Sequence, residues 1–508
     1  MTRAARDIGT RDYTRGIPRL ARRMPRSRLQ SIDHVANVIA IVTFALIVVR
    51  ALTTVDTNWD TLQYHWAFAA RAAGLCDVQC FAFDPHLEQR YLAFPMLFHT
   101  AYGVLWRTFG TPAAGHAATI VTVVGLCVYL WRRFAVPLAW SWLGLLAVPL
   151  VQIHLSASYA DLAANAALTL GILAFLRIVM VPTQSPTTDL VVAWVGLTIC
   201  AGSKLQLIPV AALVWCAIIF AVARAQQRRL HQVQWIHISG LAILGVVSLL
   251  PQLIFNTWHF HNPFYPIAMR IAGAHLPGNE TLKSIQQTMS VSTQWLDFPG
   301  WVRWLASVLE FDAFRGRTPP WTVDQGDVLR SSPSFRMGGY FCVYVLGLVA
   351  IVLSRLRERN VRPLLAILAV ATVTCALLPN SHELRYYQFW MLALVSAVLM
   401  LAFTPALASS SQPATLAWTR PLILLALAGV TLMTGAHYLM THRVTIENLV
   451  APTDAIVDAL PAGATLCFAD RNRMAILYAP MFHTRSAYHV RSIWGTEAPG
   501  CDSVINPR

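Results

Sequence analysis

Long apolar runs constrain this 508-residue chain more than any other feature. A helix needs roughly 20 predominantly apolar residues to cross a bilayer. Only 12% of the residues are charged, about half the usual share in soluble proteins, which excludes an ordinary soluble enzyme and a disordered chain. We therefore expect an all-α polytopic membrane protein with about eleven transmembrane helices, in the runs 35–53, 114–131, 136–154, 161–180, 189–202, 205–223, 234–255, 338–354, 363–379, 386–404 and 421–441.

The positions of the arginines predict the orientation. The formal net charge is +15, and every basic residue except Lys204 and Lys283 is an arginine. Short loops rich in Lys and Arg stay in the cytoplasm, and alternation from a cytoplasmic N-terminus places the short clusters on that one side: Arg132, Arg133, Arg177, Arg224, Arg228, Arg229, Arg355, Arg357, Arg359, Arg362 and Arg420. The basic excess is therefore a topology signal, and no nucleic-acid partner is expected.

The apolar segment 93–109 is treated as an interfacial helix. If it were a twelfth span, the arginine clusters that follow would fall on the outer side. Its aromatic side chains suit an amphipathic helix lying in the outer membrane interface. The expected anchors are Phe94, Tyr102, Trp106 and Phe109.

This topology divides the chain into three parts. Residues 1–33 form an Arg-rich cytoplasmic tail, and the first apolar run is a retained span rather than a cleaved signal. Residues 34–441 form the membrane core, with large outer loops at 54–113 and 256–337. Residues 442–508 follow on the outer side, where APTDAIVDAL and TLCFAD indicate a helix and a strand of a small α/β domain.

Four of the nine cysteines lie in these outer segments. Cysteines within apolar runs act as small apolar residues, whereas an oxidising compartment permits disulfides. We predict two local pairs, Cys76–Cys80 and Cys467–Cys501, in a multi-pass protein of the cytoplasmic (inner or plasma) membrane whose C-terminus lies outside.

Three charged residues stand at predicted outer boundaries, where each needs a pairing or a functional explanation. Lys204 could extend to the headgroups or bind an anionic ligand, and the second interpretation is favoured. Asp161 could cap a helix or serve the site. Arg385, beside His382 and Glu383, could be neutralised within an aromatic belt or could bind phosphate, for which an arginine fork is well suited.

The first outer loop carries an acidic motif. Asp56, Asp60 and Tyr64 are four residues apart, which places them on one side of a helix. Asp60 followed by Gln63 is also a capping-box pattern, with a helix expected over 61–73. Capping leaves room for chemistry, since an acceptor hydroxyl needs a carboxylate base. Asp60 is the first candidate for that base and Asp56 the second.

These motifs, in this order, resemble the GT-C superfamily of integral-membrane glycosyltransferases, which includes protein O-mannosyltransferases and lipid A aminoarabinose transferases. The resemblance covers roughly 34–441 and rests on the motifs DTLQYH, YAD, GSK, NPFYP and ELRYY. It implies a multi-span helical core with interfacial helices in the first outer loop. It also implies transfer of a hexosyl or pentosyl group from a polyprenyl-phosphate-type lipid to a glycan, lipid or protein acceptor outside.

The resemblance assigns roles to individual residues. The catalytic acidic residue of the family falls on Asp60, the cations for the lipid phosphate fall on Lys204 and Arg385, and Asp161 would line the same cavity. Two further residues of the first loop, Tyr64 and His65, would orient the acceptor or the base.

A divalent metal stays open as a cofactor, although the sequence has Asp-x-x-x-Tyr-His where better-known relatives have an Asp-Glu pair. A metal would need several oxygen ligands, and the candidates are Asp56, Asp60 and Glu88. The HxH pattern of His259 and His261 is a weaker metal signal, and aromatic anchoring is the favoured interpretation there.

Two rival functions remain open at this stage. A polysaccharide ligase or polymerase would use the same lipid donors. A lipid or polysaccharide transporter would also place cations in a bilayer cavity, but transporters commonly show two similar halves and polar residues near the midplane. Here the polar residues gather at the outer boundary, which favours surface chemistry.

Overall fold

The computed structural model describes residues 26–180, 187–226, 231–271, 273–281, 297–309, 340–404, 407, 412–433, 444–469, 474–484, 487–493 and 500–505. Most of the predicted N-terminal tail and much of the second outer loop lie outside these residues. The strands are β1 (Phe81–Ala82), β2 (Ile267–Ile271), β3 (Ala274–Leu276), β4 (Glu280–Thr281), β5 (Thr465–Ala469), β6 (His489–Ile493) and β7 (Ser503–Ile505).

Helices make up most of the described chain. They are α1 (Arg26–Thr53), α2 (Trp66–Ala72), α3 (Pro85–Ala93), α4 (Leu97–Phe109), α5 (Ala117–Phe134), α6 (Leu138–Leu146), α7 (Pro149–His154), α8 (Asp161–Met180), α9 (Thr187–Ser203), α10 (Ile208–Gln226), α11 (His231–Leu249), α12 (Pro251–Phe260), α13 (Gly300–Val308), α14 (Cys342–Ser354), α15 (Arg362–Leu377), α16 (Phe389–Phe403), α17 (Gln412–Met433) and α18 (Ile446–Asp458).

Six described helical stretches are long and apolar enough to cross a membrane, namely Ser31–Thr53, Pro112–Phe134, Asp161–Met180, Leu205–Arg224, Arg359–Leu377 and Ala414–Leu432. The helices α11 and α12 form a seventh if the pair, bent by 58°, crosses as one span. The prediction of a multi-span helical protein is confirmed, but the described helices support six or seven spans by length and composition, against about eleven predicted. The helices α9, α14 and α16 are apolar but shorter, and the run 136–154 is divided between α6 and α7.

Two helices form the centre of the membrane core. Both α8 and α16 are apolar on all sides and buried along almost their whole length, as expected of a helix surrounded by others. By contrast, α1 exposes apolar side chains such as Ile41 and Val49. The loops before α8 and α16 are therefore fixed to the most rigid part of the molecule.

Contacts between charged residues agree with the predicted sidedness. Arg420 Nη2 lies 2.8 Å from Asp33 Oδ2, and Arg133 Nη2 lies 2.7 Å from Asp189 Oδ2. Both arginines were assigned to the cytoplasmic side. The structure thus places together residues that the arginine pattern put on one side.

The C-terminal segment forms the predicted α/β unit, but its sheet takes a strand from the first outer loop. The helix α18 contains residues 451–458 of APTDAIVDAL, and the strand β5 contains residues 465–469 of TLCFAD. The sheet order is β1-β6-β5-β7, and all three pairings are parallel. Since Phe81 pairs with Val490, the first loop and the C-terminal segment fold as one layer over the membrane core.

Both predicted disulfides are present, Cys76–Cys80 and Cys467–Cys501. The first closes a short turn in the loop that carries the acidic motif. The second joins the strand β5 to the residue just before β7. Each of the two outer segments therefore has its own covalent bond.

The short helix predicted within 93–109 is present, but two of its four predicted interface anchors are buried. The helix α4 has 13 residues, too few to span a bilayer. Tyr102 and Trp106 are buried, whereas Phe109 is 68% exposed. Trp106 stacks on Phe482 of the C-terminal segment, so one face of this helix packs against protein.

Candidate functional site

The acidic motif lies on a π-helical turn, Thr61–His65, that continues into α2. Such turns occur often at functional sites. The expected capping box is wrong, because Asp60 has helical backbone angles and its side chain makes no capping hydrogen bond. Gln63 instead accepts a hydrogen bond of 2.5 Å from the indole of Trp59. The Asp60 carboxylate is therefore directed to a partner elsewhere in the molecule.

That partner is Arg385, on the 3₁₀ turn Leu384–Tyr387 just before α16. Its Nη1 donates a hydrogen bond of 3.0 Å to Asp60 Oδ2. The arginine side chain is 7% exposed and the Asp60 side chain 22%. The Asp60 carboxylate is therefore paired with a buried cation while part of its own side chain stays accessible.

A second ion pair joins Lys204 to Asp161. Lys204 stands between α9 and α10, and Asp161 is the first residue of α8. Both residues are at least nine-tenths buried. The interpretation of Lys204 as a lysine that reaches the headgroups is therefore wrong, since its ammonium group points into the protein.

The ring of Tyr386 lies beside both cations. Lys204 Nζ is 4.5 Å from the ring centroid and Arg385 Cζ is 5.1 Å from it. Arg385 also lies 5.2 Å from the ring centroid of Tyr159. Because both cations approach the same ring, they lie within one helix diameter of each other, about 10 Å. The two ion pairs therefore form a single site, and Tyr386 belongs to it rather than to an aromatic belt.

Tyr64 completes this face of the site. Burial raises its pKa well above the usual value, the negative charge of Asp60 raises it further, and Arg385 lowers it. The phenol therefore stays protonated at neutral pH and can donate a hydrogen bond. Because Asp60, Arg385 and Asp161 all influence the pKa of Tyr64, its hydroxyl lies near these charged groups.

His65 pairs with a histidine that no sequence motif marks. A hydrogen bond of 2.8 Å joins His65 Nδ1 to His99 Nε2. Burial lowers the pKa of both rings, and that of His99 falls to about 4. Both rings are therefore neutral at pH 7. Sequence reasoning missed His99 because it reaches His65 only when α4 packs on α2.

Asp56 is held inside the protein. Its Oδ2 accepts hydrogen bonds of 2.9 Å from both the backbone N–H and the hydroxyl of Ser158, and the Thr61 hydroxyl donates to its Oδ1. The Asp56 side chain is 3% exposed, against 22% for Asp60. Asp56 therefore ties the acidic motif to the turn before Asp161, while Asp60 is the more accessible carboxylate.

His382 and Glu383 lie in the buried segment that leads to Arg385. The hydroxyl of Ser307 donates to the His382 carbonyl at 2.6 Å, and the Tyr386 N–H donates to the Glu383 carbonyl at 2.9 Å. Burial lowers the pKa of His382 to about 3, and Arg303 adds to the effect. This imidazole is therefore neutral, and His382 belongs to the buried segment that leads into the Arg385 turn.

The described residues contain no group of three or more His, Cys, Asp or Glu side chains placed to hold a metal ion. Glu88 is not gathered with Asp56 and Asp60, because Arg71 Nη2 binds it at 2.9 Å. His259 stacks on Phe255, in line with aromatic anchoring.

Comparisons with known proteins show similarity in fold. No family model matches the chain, and no curated protein matches it by sequence. The structure of ArnT from Cupriavidus metallidurans bound to undecaprenyl phosphate superposes with a TM-score of 0.52 at 13% identity, covering 92% of this chain and 86% of that chain. The apo structure of that protein gives a TM-score of 0.40 at 16% identity, covering 89% of this chain and 85% of that chain. The chain thus shares the fold of ArnT over most of its length, in agreement with the resemblance drawn from its motifs.

Proposed function

We propose that this protein is a membrane glycosyltransferase, which moves a hexosyl or pentosyl group from a polyprenyl-phosphate carrier to an acceptor on the outer face. The observation that carries the proposal is the meeting of the Asp60–Arg385 and Asp161–Lys204 pairs beside the ring of Tyr386. Buried charges are costly unless they are paired, and their concentration at one outer boundary favours a ligand that carries charge into the membrane interface. The fold is that of a protein whose structure holds undecaprenyl phosphate.

In the proposed reaction, the donor phosphate lies beside Lys204 and Arg385. An acceptor hydroxyl attacks the anomeric carbon of the sugar, and the bond from that carbon to the phosphate oxygen breaks. The leaving polyprenyl phosphate keeps the electron pair, and the two cations stabilise its negative charge. Direct displacement of this kind inverts the anomeric configuration.

Asp60 is the proposed base. Its Oδ1 takes the proton of the attacking hydroxyl, while its Oδ2 stays bonded to Arg385. The same ion pair thereby links the base to the cation at the leaving group. Tyr64, protonated at neutral pH, donates a hydrogen bond that orients the acceptor or Asp60. The ring of His65 lies 4.3 Å from that of Tyr64 and helps to hold it in place.

We propose that the site faces the outside of the cytoplasmic membrane. The positive-inside pattern places the Arg420 and Arg133 contacts in the cytoplasm. The two disulfides lie in the segments assigned to the opposite side, where oxidation is permitted. The acceptor would therefore be a glycan, lipid or protein of the cell envelope.

The proposal is tested with purified protein in nanodiscs and a panel of polyprenyl-phosphate sugars, by mass spectrometry of the released polyprenyl phosphate and of the glycosylated acceptor. Comparison of the outer glycolipids from a deletion strain selects the sugars and acceptors for the panel. Transfer of one sugar with inverted stereochemistry supports the proposal. Movement of the intact lipid-linked glycan across the bilayer without cleavage would establish the transporter alternative, and growth of a polymer would establish the ligase or polymerase alternative.

A further inference from the structure

Asn165 is a fully buried residue of α8, one turn after Asp161. A buried amide is costly unless it is hydrogen-bonded, and this one bonds on both sides. Its Nδ2 donates to the carbonyl of Asp161 at 2.8 Å and lies 3.4 and 3.3 Å from the carbonyls of Arg385 and Tyr386. Its Oδ1 accepts from the Phe389 N–H at 2.9 Å.

The bond to Phe389 supplies a cap for α16. The first N–H groups of a helix have no partner within the helix, and the residue just before it usually supplies an acceptor. Gln388 makes no such bond here, and its Nε2 is engaged with His154 Nδ1 at 2.6 Å. Asn165 therefore caps α16 from a different helix.

The consequence is a fixed separation between the two ion pairs. Asp161 stands on α8, and Arg385 with Tyr386 stands on the turn before α16. Asn165 holds the backbone of all three through one amide group. Since Tyr386 contacts both cations, a shift of this turn would change both pairs together.

We infer that Asn165 is a positioning residue for the proposed transfer, acting through the backbone of the Arg385 turn rather than by contact with substrate. The inference rests on the proposed function for its consequence in catalysis. The site needs an amide, since only Asn or Gln carries a donor and an acceptor on one short planar group. An ionised aspartate would keep the hydrogen bond to Phe389. Its second oxygen, however, would replace the N–H donor and face the three carbonyl oxygens, which repel it.

The test is a double-mutant cycle between N165L and R385A, with N256L as the matched control. Asn256 of α12 is also fully buried and bridges two backbone carbonyls, at 3.0 Å to Ala93 at the end of α3 and at 3.3 Å to Pro263 just after α12. Two quantities are measured for each variant in nanodiscs, namely the affinity for undecaprenyl phosphate and the transfer rate at saturating donor. Thermal unfolding is measured alongside them.

If Asn165 acts through Arg385, N165L lowers both the lipid affinity and the transfer rate about tenfold. In the R385A background the same change should lower them by no more than about twofold, which is the usual error of additivity. N256L should lower thermal stability. Any loss of lipid affinity or transfer rate that it causes should multiply with the loss caused by R385A. If the losses of N165L and R385A multiply in the same way, Asn165 has only a structural role and the inference is overturned.

N165D keeps the test decisive if N165L does not fold. A protonated carboxyl group at position 165 can donate to the carbonyls again, so the activity of N165D relative to the native protein should rise as the pH is lowered. A ratio that stays constant with pH would count against the inference. If the native protein binds undecaprenyl phosphate but transfers no sugar, the proposed function fails while the coupling in lipid affinity still decides the role of Asn165.

Discussion

Arg385 and Asp60 are separated by 325 positions in the sequence, yet their side chains are joined by a hydrogen bond of 3.0 Å. The bond links the turn before a central helix of the membrane core to the first outer loop. It places a carboxylate next to a cation without burying the carboxylate, because Asp60 keeps about a fifth of its side chain exposed. A base and an anion-binding group are thereby positioned by one contact.

The substitution D60N should reduce transfer about 10²- to 10⁴-fold, the usual contribution of a general base. The amide oxygen can still accept from Arg385, so folding should be unchanged. Activity and thermal unfolding of purified protein check this expectation. The matched control is E88Q, a change in another outer-loop carboxylate that is bound to Arg71, which should stay within a few-fold of the native rate. Near-normal turnover by D60N would exclude Asp60 as the base.

The double substitution K204M/D161N should weaken the affinity for undecaprenyl phosphate by about 10- to 100-fold, because a hydrogen bond to a charged group contributes about 1.5–3 kcal/mol. Both charges are removed together so that no unpaired carboxylate stays buried. The control is the double change R133M/D189N, which removes the Arg133–Asp189 ion pair on the proposed cytoplasmic side. This control should leave the lipid affinity unchanged. Equal effects of the two double variants would refute a specific role for Lys204.

Loss of the Cys467–Cys501 disulfide should destabilise the outer layer. The cysteines are 34 residues apart, and a loop of that length corresponds to about 3–4 kcal/mol on the chain-entropy account. Thermal unfolding of C467S/C501S, with and without reductant, measures the effect. In intact cells, a membrane-impermeant maleimide should label the single variant C467S at Cys501. Labelling only after the cells are opened would reverse the proposed orientation.

The His65–His99 pair should make stability fall on acidification. Burial depresses the pKa of both rings below the ordinary value of 6.5, to about 4 for His99. Above pH 6.5 neither the native nor the unfolded state binds these protons. As the pH falls below that value the unfolded state binds them first, so native stability declines until the folded pKa is reached.

The variant H65F/H99F removes both titrating groups and should show a flatter dependence of the unfolding temperature on pH between 6.5 and 4. H489Q, a change in an exposed histidine, serves as the control and should keep the native slope. An unchanged slope in H65F/H99F would show that other groups control acid stability.

The membrane character of the chain could be predicted because it depends on composition and arginine positions, which are properties of the sequence itself. Asp161, Lys204 and Arg385 could be proposed for a related reason, since charge is rare at apolar boundaries and each exception stands out. Asp60 was proposed from the acidic motif of the first outer loop. Span number was harder to predict. The run 136–154 is predominantly apolar, yet it is divided between α6 and α7, with Pro149 starting the second helix.

The rest of the site depends on long-range packing. His99 and Asn165 lie in ordinary helical sequence, and their partners are 34 and more than 200 residues away. The capping box failed at Asp60 because a tertiary partner competes with local capping. The strand Phe81–Ala82 is too short to leave a pattern, so its place in the C-terminal sheet could not be foreseen.

The pairing of Phe81 with Val490 has a consequence for biosynthesis. Ribosomes deliver the N-terminal part of a chain first, so the loop that carries Asp60 emerges some four hundred residues before the strand that completes its sheet. Until the last segment has been synthesised, that loop lacks its neighbour. A chain arrested before residue 489 would therefore hold every proposed catalytic residue but lack β6, the strand that joins β1 of the first loop to β5 of the C-terminal segment.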